Sequence, residues 1–447
     1  MTVTLKDGAT HEHSEHVNRG AADRLLANAE IVDKYRANAT LWAGPSKVAR
    51  MEESLLALHE TPAAVDAFAP SAEPDMDTEQ ERLILDTVER FLARDAAPHA
   101  QKLEAADEYP DEIVARMKEL GLFGAVIPEE YGGLGLSPST YAKVIERIAR
   151  VWMSVSGIIN SHLIMAHIVA KTGTEEQKRA FRPRFASGET RGGLALTEPD
   201  CGTDLQAIRT TARAEGNDYV VNGTKTWISN GIHGSAFAVL VKTDPEAEPR
   251  HKGMSLFIAE KGEGFRPSRK LEKLGYKGID SAELIFEDYR LPGFNLIGGE
   301  GNGMAAAISG LELGRVNVAA RGVGVAQAAL DEAVRYAQER KTFGKPIHQH
   351  QAIALKLGDM ATRTEAARLL TEKAAEALDR GERCDFEAGM ATLFATEALR
   401  IHGGYGYSKE FIVERLYRDA PLLCIGEGTN EIQRILIAKR LIERNPA

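Results

Sequence analysis

The residues best placed to do chemistry lie near the C-terminus, in Cys-Ile-Gly-Glu-Gly-Thr-Asn-Glu-Ile-Gln-Arg at 424–434. Glu427 stands there between Gly426 and Gly428. Two flanking glycines let a ligand approach the backbone closely and leave the carboxylate free to move. Apolar neighbours, Cys424 and Ile425, would raise its affinity for protons toward what abstraction from carbon requires. A helix beginning at Thr429 or Asn430 pulls the other way. Taken alone, the triplet more often marks an ordinary solvated capping loop.

Two further segments could hold a planar ring. Thr-Glu-Pro-Asp-Cys-Gly-Thr at 197–203 offers turn amides and hydroxyls to ring carbonyls, and Trp-Ile-Ser-Asn at 227–230 offers Trp227 as a stacking face. Arg-Lys-Thr-Phe-Gly-Lys-Pro at 340–346 ends a helix pattern with a basic pair suited to a phosphate. It reads equally as a helix C-cap on Gly344. Nucleotide fingerprints fail: Gly-Gly-Glu-Gly-Asn-Gly at 298–303 runs into Met304, Arg-Gly-Val-Gly-Val-Ala-Gln at 321–327 lies inside a helix pattern, and there is no P-loop. A Rossmann-type site is not expected. His11, His13 and His16 have no acidic or cysteine partners at ligand spacing, so no metal site is expected.

Composition narrows the class. With 55 Lys+Arg against 65 Asp+Glu the 447-residue chain carries a net charge of −10, which argues against a grip on nucleic acid or anionic lipid. No apolar run approaches the ~18–20 residues of a membrane span, and none is expected. Cys201, Cys384 and Cys424 form no Cys-x-x-Cys pair, so a reducing compartment fits best. Asp7, Glu12, Glu15 and Asp23 are unlike a targeting presequence. A cytoplasmic protein is expected.

The elements that must position these residues fall into blocks. Residues 1–76 form an extension expected to be weakly helical or disordered. Residues 77–190 read as an α domain. It opens on a capping box, Thr78 to Glu81, followed by an apolar stripe at Ile84, Val88 and Leu92, and a helix stop falls at Gly121. Residues 191–295 hold short β-rich runs separated by Gly-Asn-Asp and Asn-Gly turns, with no helical crossovers, so an antiparallel β domain is expected. Residues 296–447 return to long helical periodicity. Helices, then strands, then helices make an α+β fold.

From residue 77 onward the chain resembles the acyl-CoA dehydrogenase family, most of all its short- and branched-chain members. The resemblance is carried by Leu-Thr-Glu-Pro-Asp-Cys-Gly-Thr-Asp at 196–204, Glu-Leu-Gly-Arg at 312–315, the segment 339–351, and Ile-His-Gly-Gly-Tyr-Gly-Tyr at 401–407 with Ile-Gly-Glu-Gly-Thr-Asn-Glu-Ile-Gln-Arg at 425–434, all in order. It implies N-terminal helices, a central β domain and a C-terminal four-helix bundle, assembled as a homodimer or homotetramer, with FAD between the β domain and the bundle. Leu194, Leu196, Thr197, Thr203, Trp227 and Ser229 would line the flavin ring. Arg340, Thr342, Phe343, Gln351, Arg400, Gly403 and Gly404 would reach across the dimer to the adenosine and pyrophosphate, with Thr429 and Glu431 completing the pocket. Thr203, Glu312, Arg315, Gly426 and Gly428 would contact the acyl-CoA.

The implied reaction is α,β-dehydrogenation of an acyl-CoA to the trans-2-enoyl-CoA. Glu427 is the α-proton base, the β-hydrogen leaves as hydride to flavin N5, and electrons pass to an electron-transferring flavoprotein. Some members carry the base just before the arginine of the 312–315 segment; here that residue is Gly314, which leaves Glu427. A same-fold oxidase or monooxygenase, or a degenerate acyl-CoA-binding protein, are the alternatives. Two departures stand out. Gly426 replaces an aromatic residue common in straight-chain members, which makes room for a branched acyl group. Between Glu397 and Ala398 the family carries about eight more residues, roughly two turns or ~12 Å of helix, which bears on how Arg400, Gly403 and Gly404 are presented.

Overall fold

The computed structural model describes residues 2–4, 10–12, 76–381 and 391–425, with side chains placed for 79–381 and 397–425. Cys384, Gly426, Glu427, Gly428, Thr429, Glu431 and the expected last helix lie outside the described residues. Residues up to Glu79 form a unit by themselves. Its described part includes an antiparallel ribbon, β1 (Thr2–Thr4) against β2 (Thr10–Glu12), where the sequence led to an expectation of weak helix or disorder.

Helix α1 (Met76–Phe91) passes through one π-helical turn, Leu92–Ala96, into α2 (Ala97–Ala106). The expected stripe is present, with Val88 and Leu92 buried and Ile84 packed against them. The capping box is not. The helix already starts at Met76, and the Glu81 carboxylate accepts from Thr140 Oγ1 at 2.8 Å and Lys143 Nζ at 2.7 Å instead. A charge-assisted bond to a neighbouring helix is stronger than a bond to the helix's own amide. Helix α3 (Asp111–Glu119) does stop as expected, with Gly121 at φ +71°.

Helix α4 (Pro138–Thr172) is N-capped by Ser137, whose Oγ accepts from the Thr140 N–H. It is two helical segments meeting at Trp152, where φ −157° and ψ 106° break the spiral. By length and composition it could cross a membrane, contrary to the expectation from the sequence; yet 83% of its apolar window is buried inside the protein, as in a core helix. A capping box, Thr174 with Gln177, opens α5 (Glu175–Ala186).

The central sheet contains β3 (Gly192–Ala195), β4 (Thr211–Glu215), β5 (Asp218–Ser229), β6 (Ala236–Lys242), β7 (Met254–Glu260), β8 (Phe265–Lys270), β9 (Ser281–Pro292) and β10 (Leu296–Ile297). Its order is β10-β7-β6-β4-β5-β9-β8, with β3 added on β6. It is mostly antiparallel, as alternation and turns implied, but β3 runs parallel to β6 and β4 meets β6 in parallel at Thr211 and Lys242. Strand β6 is buried on both faces. Ala236, Ala238 and Leu240 join a core with Ile164 and Ile168 of α4, while Phe237, Val239 and Val241 pack with Phe257, Phe265 and Phe286.

Helix α6 (Gly303–Glu339) lies along α4, and glycines permit the approach: a Cβ on Gly310 would come within 2.5 Å of Ile168. Then follow α7 (Gln351–Asp379), α8 (Ala391–His402) and α9 (Val413–Asp419). The last ties the bundle to the β8–β9 loop, because the Asp419 carboxylate accepts the Tyr276 N–H at 2.6 Å.

Burial pushes the Asp419 carboxyl up from 3.8 to about 6, against the opposing pull of the Tyr276 N–H and the Arg415 charge. The native state therefore keeps a proton that the unfolded chain releases, and stability falls as pH rises through this interval. Asp419→Asn keeps an acceptor for Tyr276 and removes the titration. Its urea midpoint, relative to wild type, is expected to climb between about pH 4 and about pH 6 and then level off. A difference independent of pH would refute this.

Candidate active site

Beyond β3 the chain enters a tight turn in which the Glu198 N–H donates to the Cys201 carbonyl at 2.9 Å and the Cys201 N–H to the Glu198 carbonyl at 3.2 Å. This turn is held from below by a buried ion pair. Lys225 of β5 has no exposed side-chain surface and Glu198 has 6%, and Nζ lies 2.7 Å from Oε1. Nζ also donates to the Leu196 carbonyl at 3.0 Å, while the carboxylate accepts the Arg209 N–H at 2.6 Å and the Thr210 N–H at 3.0 Å. Burial alone would raise the Glu198 carboxyl, but the Lys225 ammonium with Thr210 and Arg209 outweighs it and holds the group below the usual carboxylate range.

The same strand presents Trp227. The ladder between β5 and β9 loses register between Lys225 and Ile228, and Trp227 there takes φ +60° with 57% of its surface exposed. A bulky residue in the left-handed region is strained, and a bulge that re-aims one side chain is a device of functional sites. Asn230, also at φ +60°, fixes the strand end by donating from Nδ2 to the carbonyls of Ile158 and Gly192, each at 2.9 Å.

The expected ring-lining residues gather on this edge. The Thr226 N–H donates to the Thr197 carbonyl at 2.9 Å, and a Cβ on Gly193 would lie 3.1 Å from the Ser229 carbonyl oxygen. Leu194, Thr197 and Ser229 are half-buried, Leu196 is buried, and Thr203 is exposed beyond the turn.

A second cluster forms at the other end of α6. The basic segment is not a helix cap on Gly344: β11 (Lys341–Thr342) and β12 (Lys345–Pro346) form a ribbon closed by Phe343 at φ +50° and Gly344 at φ +79°. Two positive φ values are the type I′ hairpin arrangement, which tolerates Phe poorly. Phe343 is nonetheless 96% exposed at the tip. Behind the tip lies a cavity of about 780 Å³ whose wall includes Arg340, Thr342, Phe343, Gly403, Gly404 and Tyr405. His402 stacks on Tyr336 at 4.2 Å and thereby seats the end of α8 against α6, and the Arg340 guanidinium lies over the Tyr405 ring at 5.8 Å. Two of the expected residues turn elsewhere. Gln351 is exposed at the start of α7, and Arg400 pairs with Glu397 at 2.7 Å.

Glu312 and Arg315 are half-buried on α6, with Gly314 buried between them. Arg340 follows Arg315 by twenty-five residues, or about 37 Å of helix. Arg315 and Arg340 therefore stand far apart along one helix. Among the described residues no group of His, Cys, Asp and Glu could hold a metal ion. Sequence reasoning passed over Lys225, Glu198, His402 and Tyr336. The signal for the first two was a lone lysine at a core-facing strand position opposite a turn carboxylate.

Comparison with known proteins places the chain. The acyl-CoA dehydrogenase N-terminal domain matches residues 78–189, the middle domain residues 193–289, and the C-terminal domain residues 301–442. An acyl-CoA dehydrogenase of Bacillus subtilis is 41% identical over 375 residues, covering 82% of this chain and 98% of its own. The structure of butyryl-CoA dehydrogenase from Megasphaera elsdenii superposes with a TM-score of 0.79 at 33% identity, covering 83% of this chain and all of its own. An acyl-CoA dehydrogenase from Bacillus anthracis, complexed with FAD, gives 0.76 at 32% identity, covering 83% of this chain and 68% of its own.

Removing one partner of a buried ion pair strands the other charge, at a cost of about 3–5 kcal/mol. Lys225→Met should therefore lower the urea midpoint sharply, and Lys225→Met with Glu198→Leu should recover much of the loss. Equal midpoints for the single and double variants would contradict the pairing.

Proposed function

The chain belongs to the acyl-CoA dehydrogenase family, and from that premise we propose that it oxidises a short or branched acyl-CoA to the trans-2-enoyl-CoA. The observation that carries this reading is Trp227. A strained aromatic residue, half open to solvent beside the half-buried Leu194, Thr197 and Ser229, is a face built for a planar partner. These residues fit the isoalloxazine of FAD.

Bound FAD would supply the two-electron acceptor for the substrate's β-hydrogen, taken as hydride. The chain's own residues do the rest. Leu194, Leu196, Thr197, Thr203, Trp227 and Ser229 hold the ring. A second copy of the chain brings its hairpin, with Arg340, Thr342, Phe343, Gly403 and Gly404, to the adenosine and pyrophosphate; Gln351 and Arg400 join once that interface forms. Thr429 and Glu431 complete the pocket. The exposed Phe343, which a partner would cover, supports this division.

The acyl-CoA is held by Thr203, Glu312, Arg315, Gly426 and Gly428. Glu427 removes the α-proton, and its backbone N–H stabilises the charge that develops on the thioester oxygen. Gly314 cannot replace it. The likeness to butyryl-CoA dehydrogenase supports a short chain, and Gly426 leaves room for a branch. An electron-transferring flavoprotein then takes the electrons.

Glu427→Gln is expected to purify yellow, with its flavin band intact. On anaerobic mixing with butyryl-CoA or isobutyryl-CoA, bleaching should be about a thousandfold slower than in wild type, within the range that loss of a general base gives. Bleaching at the wild-type rate would overturn the assignment.

A further inference from the structure

The loop after β3 leaves the sheet and rejoins it at one point. It starts at Leu196, passes the Glu198–Cys201 turn and the exposed Thr203, winds through a short 3₁₀ turn at Leu205–Ala207, and reaches β4 through Thr210. Lys225 holds its entry, because Nζ donates to the Leu196 carbonyl at 3.0 Å. Glu198 holds its exit: Oε2 accepts the Arg209 N–H at 2.6 Å and Oε1 accepts the Thr210 N–H at 3.0 Å. Nζ and Oε1 lie 2.7 Å apart and join the two ends. One ion pair closes the loop that carries Thr203.

Strand β5 is shaped to receive that closure. Gly223 stands at φ +148°, and a Cβ there would lie 2.5 Å from Thr210 Oγ1 and 2.7 Å from Thr210 Cα, so the loop exit rests on bare strand backbone. Ile208 and Thr210 are buried, and the Lys242 N–H donates to the Thr210 carbonyl at 2.8 Å. Between the anchored ends Asp200, Gly202, Thr203 and Asp204 are exposed. An apolar pair of similar volume could fill the place of Lys225 and Glu198 with little loss of stability. It could not bind one carbonyl at the entry and two N–H groups at the exit at the same time. The charge is kept for where it puts the loop.

We propose that Lys225 and Glu198 are positioning residues for the reaction: by closing the loop at both ends they set Thr203 and the Leu196–Thr197 backbone against the flavin and the acyl-CoA. This inference rests on the FAD and acyl-CoA reading above and adds to it two residues that act through the loop. They take no part in proton or hydride transfer.

The test separates placement from stability. Flavin-free wild type, the double variant Lys225→Met with Glu198→Leu, Arg209→Pro and Arg209→Ala are titrated with FAD. Visible circular dichroism of the bound flavin and the urea midpoint are recorded for each. Arg209→Pro removes only the N–H at the loop exit besides an exposed side chain, and Ile208, at φ −55° and ψ 150°, already has the backbone that precedes proline. Arg209→Ala loses the exposed pair with Asp200 and keeps the N–H. In the folded double variant the FAD Kd should rise about tenfold and the flavin dichroism should change, while the midpoint stays close to wild type. Arg209→Pro should move Kd the same way by about threefold, and Arg209→Ala should match wild type. Wild-type Kd and dichroism in the folded double variant would overturn the proposal, as would equal effects of Arg209→Pro and Arg209→Ala. Should the double variant not fold, the two Arg209 variants decide the matter between them. If the wild type binds no FAD, the functional reading itself fails.

Discussion

A lysine with no exposed side-chain surface, facing a carboxylate at 2.7 Å, holds the turn after β3 onto β5. Lys225 belongs to a strand and Glu198 to a turn, and neither position is fixed without the other. Their pairing draws the Leu196 carbonyl and the Thr197 backbone onto β5. The strand, gripped there, loses register over the next residues and sets Trp227 outward at a strained angle. A buried pair of this kind is weak evidence of net stabilisation, because desolvation offsets much of the attraction. Its consequence here is geometric. It decides where a turn and an indole stand relative to each other.

The long helix α6 imposes a second constraint. It carries Glu312 and Arg315 toward one end, and Arg340 follows its other end. The hairpin after Arg340 ends in Phe343, almost fully exposed on a turn that prefers Asn or Gly. His402 stacked on Tyr336 keeps the end of α8 in the wall of the cavity.

Much of this was legible in the sequence, where the signal is local. The change from 3.6-residue to alternating periodicity and back marks the helical and strand regions, and Gly121 ends α3 because only a few residue types accept its φ. The ordered motifs identified the family. What depended on partners distant in sequence was not legible. Glu81 fits a capping box until Lys143 and Thr140 of α4 come within reach. Phe-Gly at 343–344 looks like a helix stop until the chain pairs back on itself. Strand β8, Phe265–Lys270, is charged and largely exposed at the sheet edge, so it lacks the alternation that announces a strand.

If the strained edge of β5 is the flavin face, the Trp227 indole must sense the cofactor directly. Flavin-free protein can be titrated with FAD while tryptophan fluorescence is followed, in wild type and in Trp227→Phe. Quenching that is large in wild type and mostly absent in Trp227→Phe is the predicted result. Equal quenching in the two proteins, with FAD bound to both, would contradict the account.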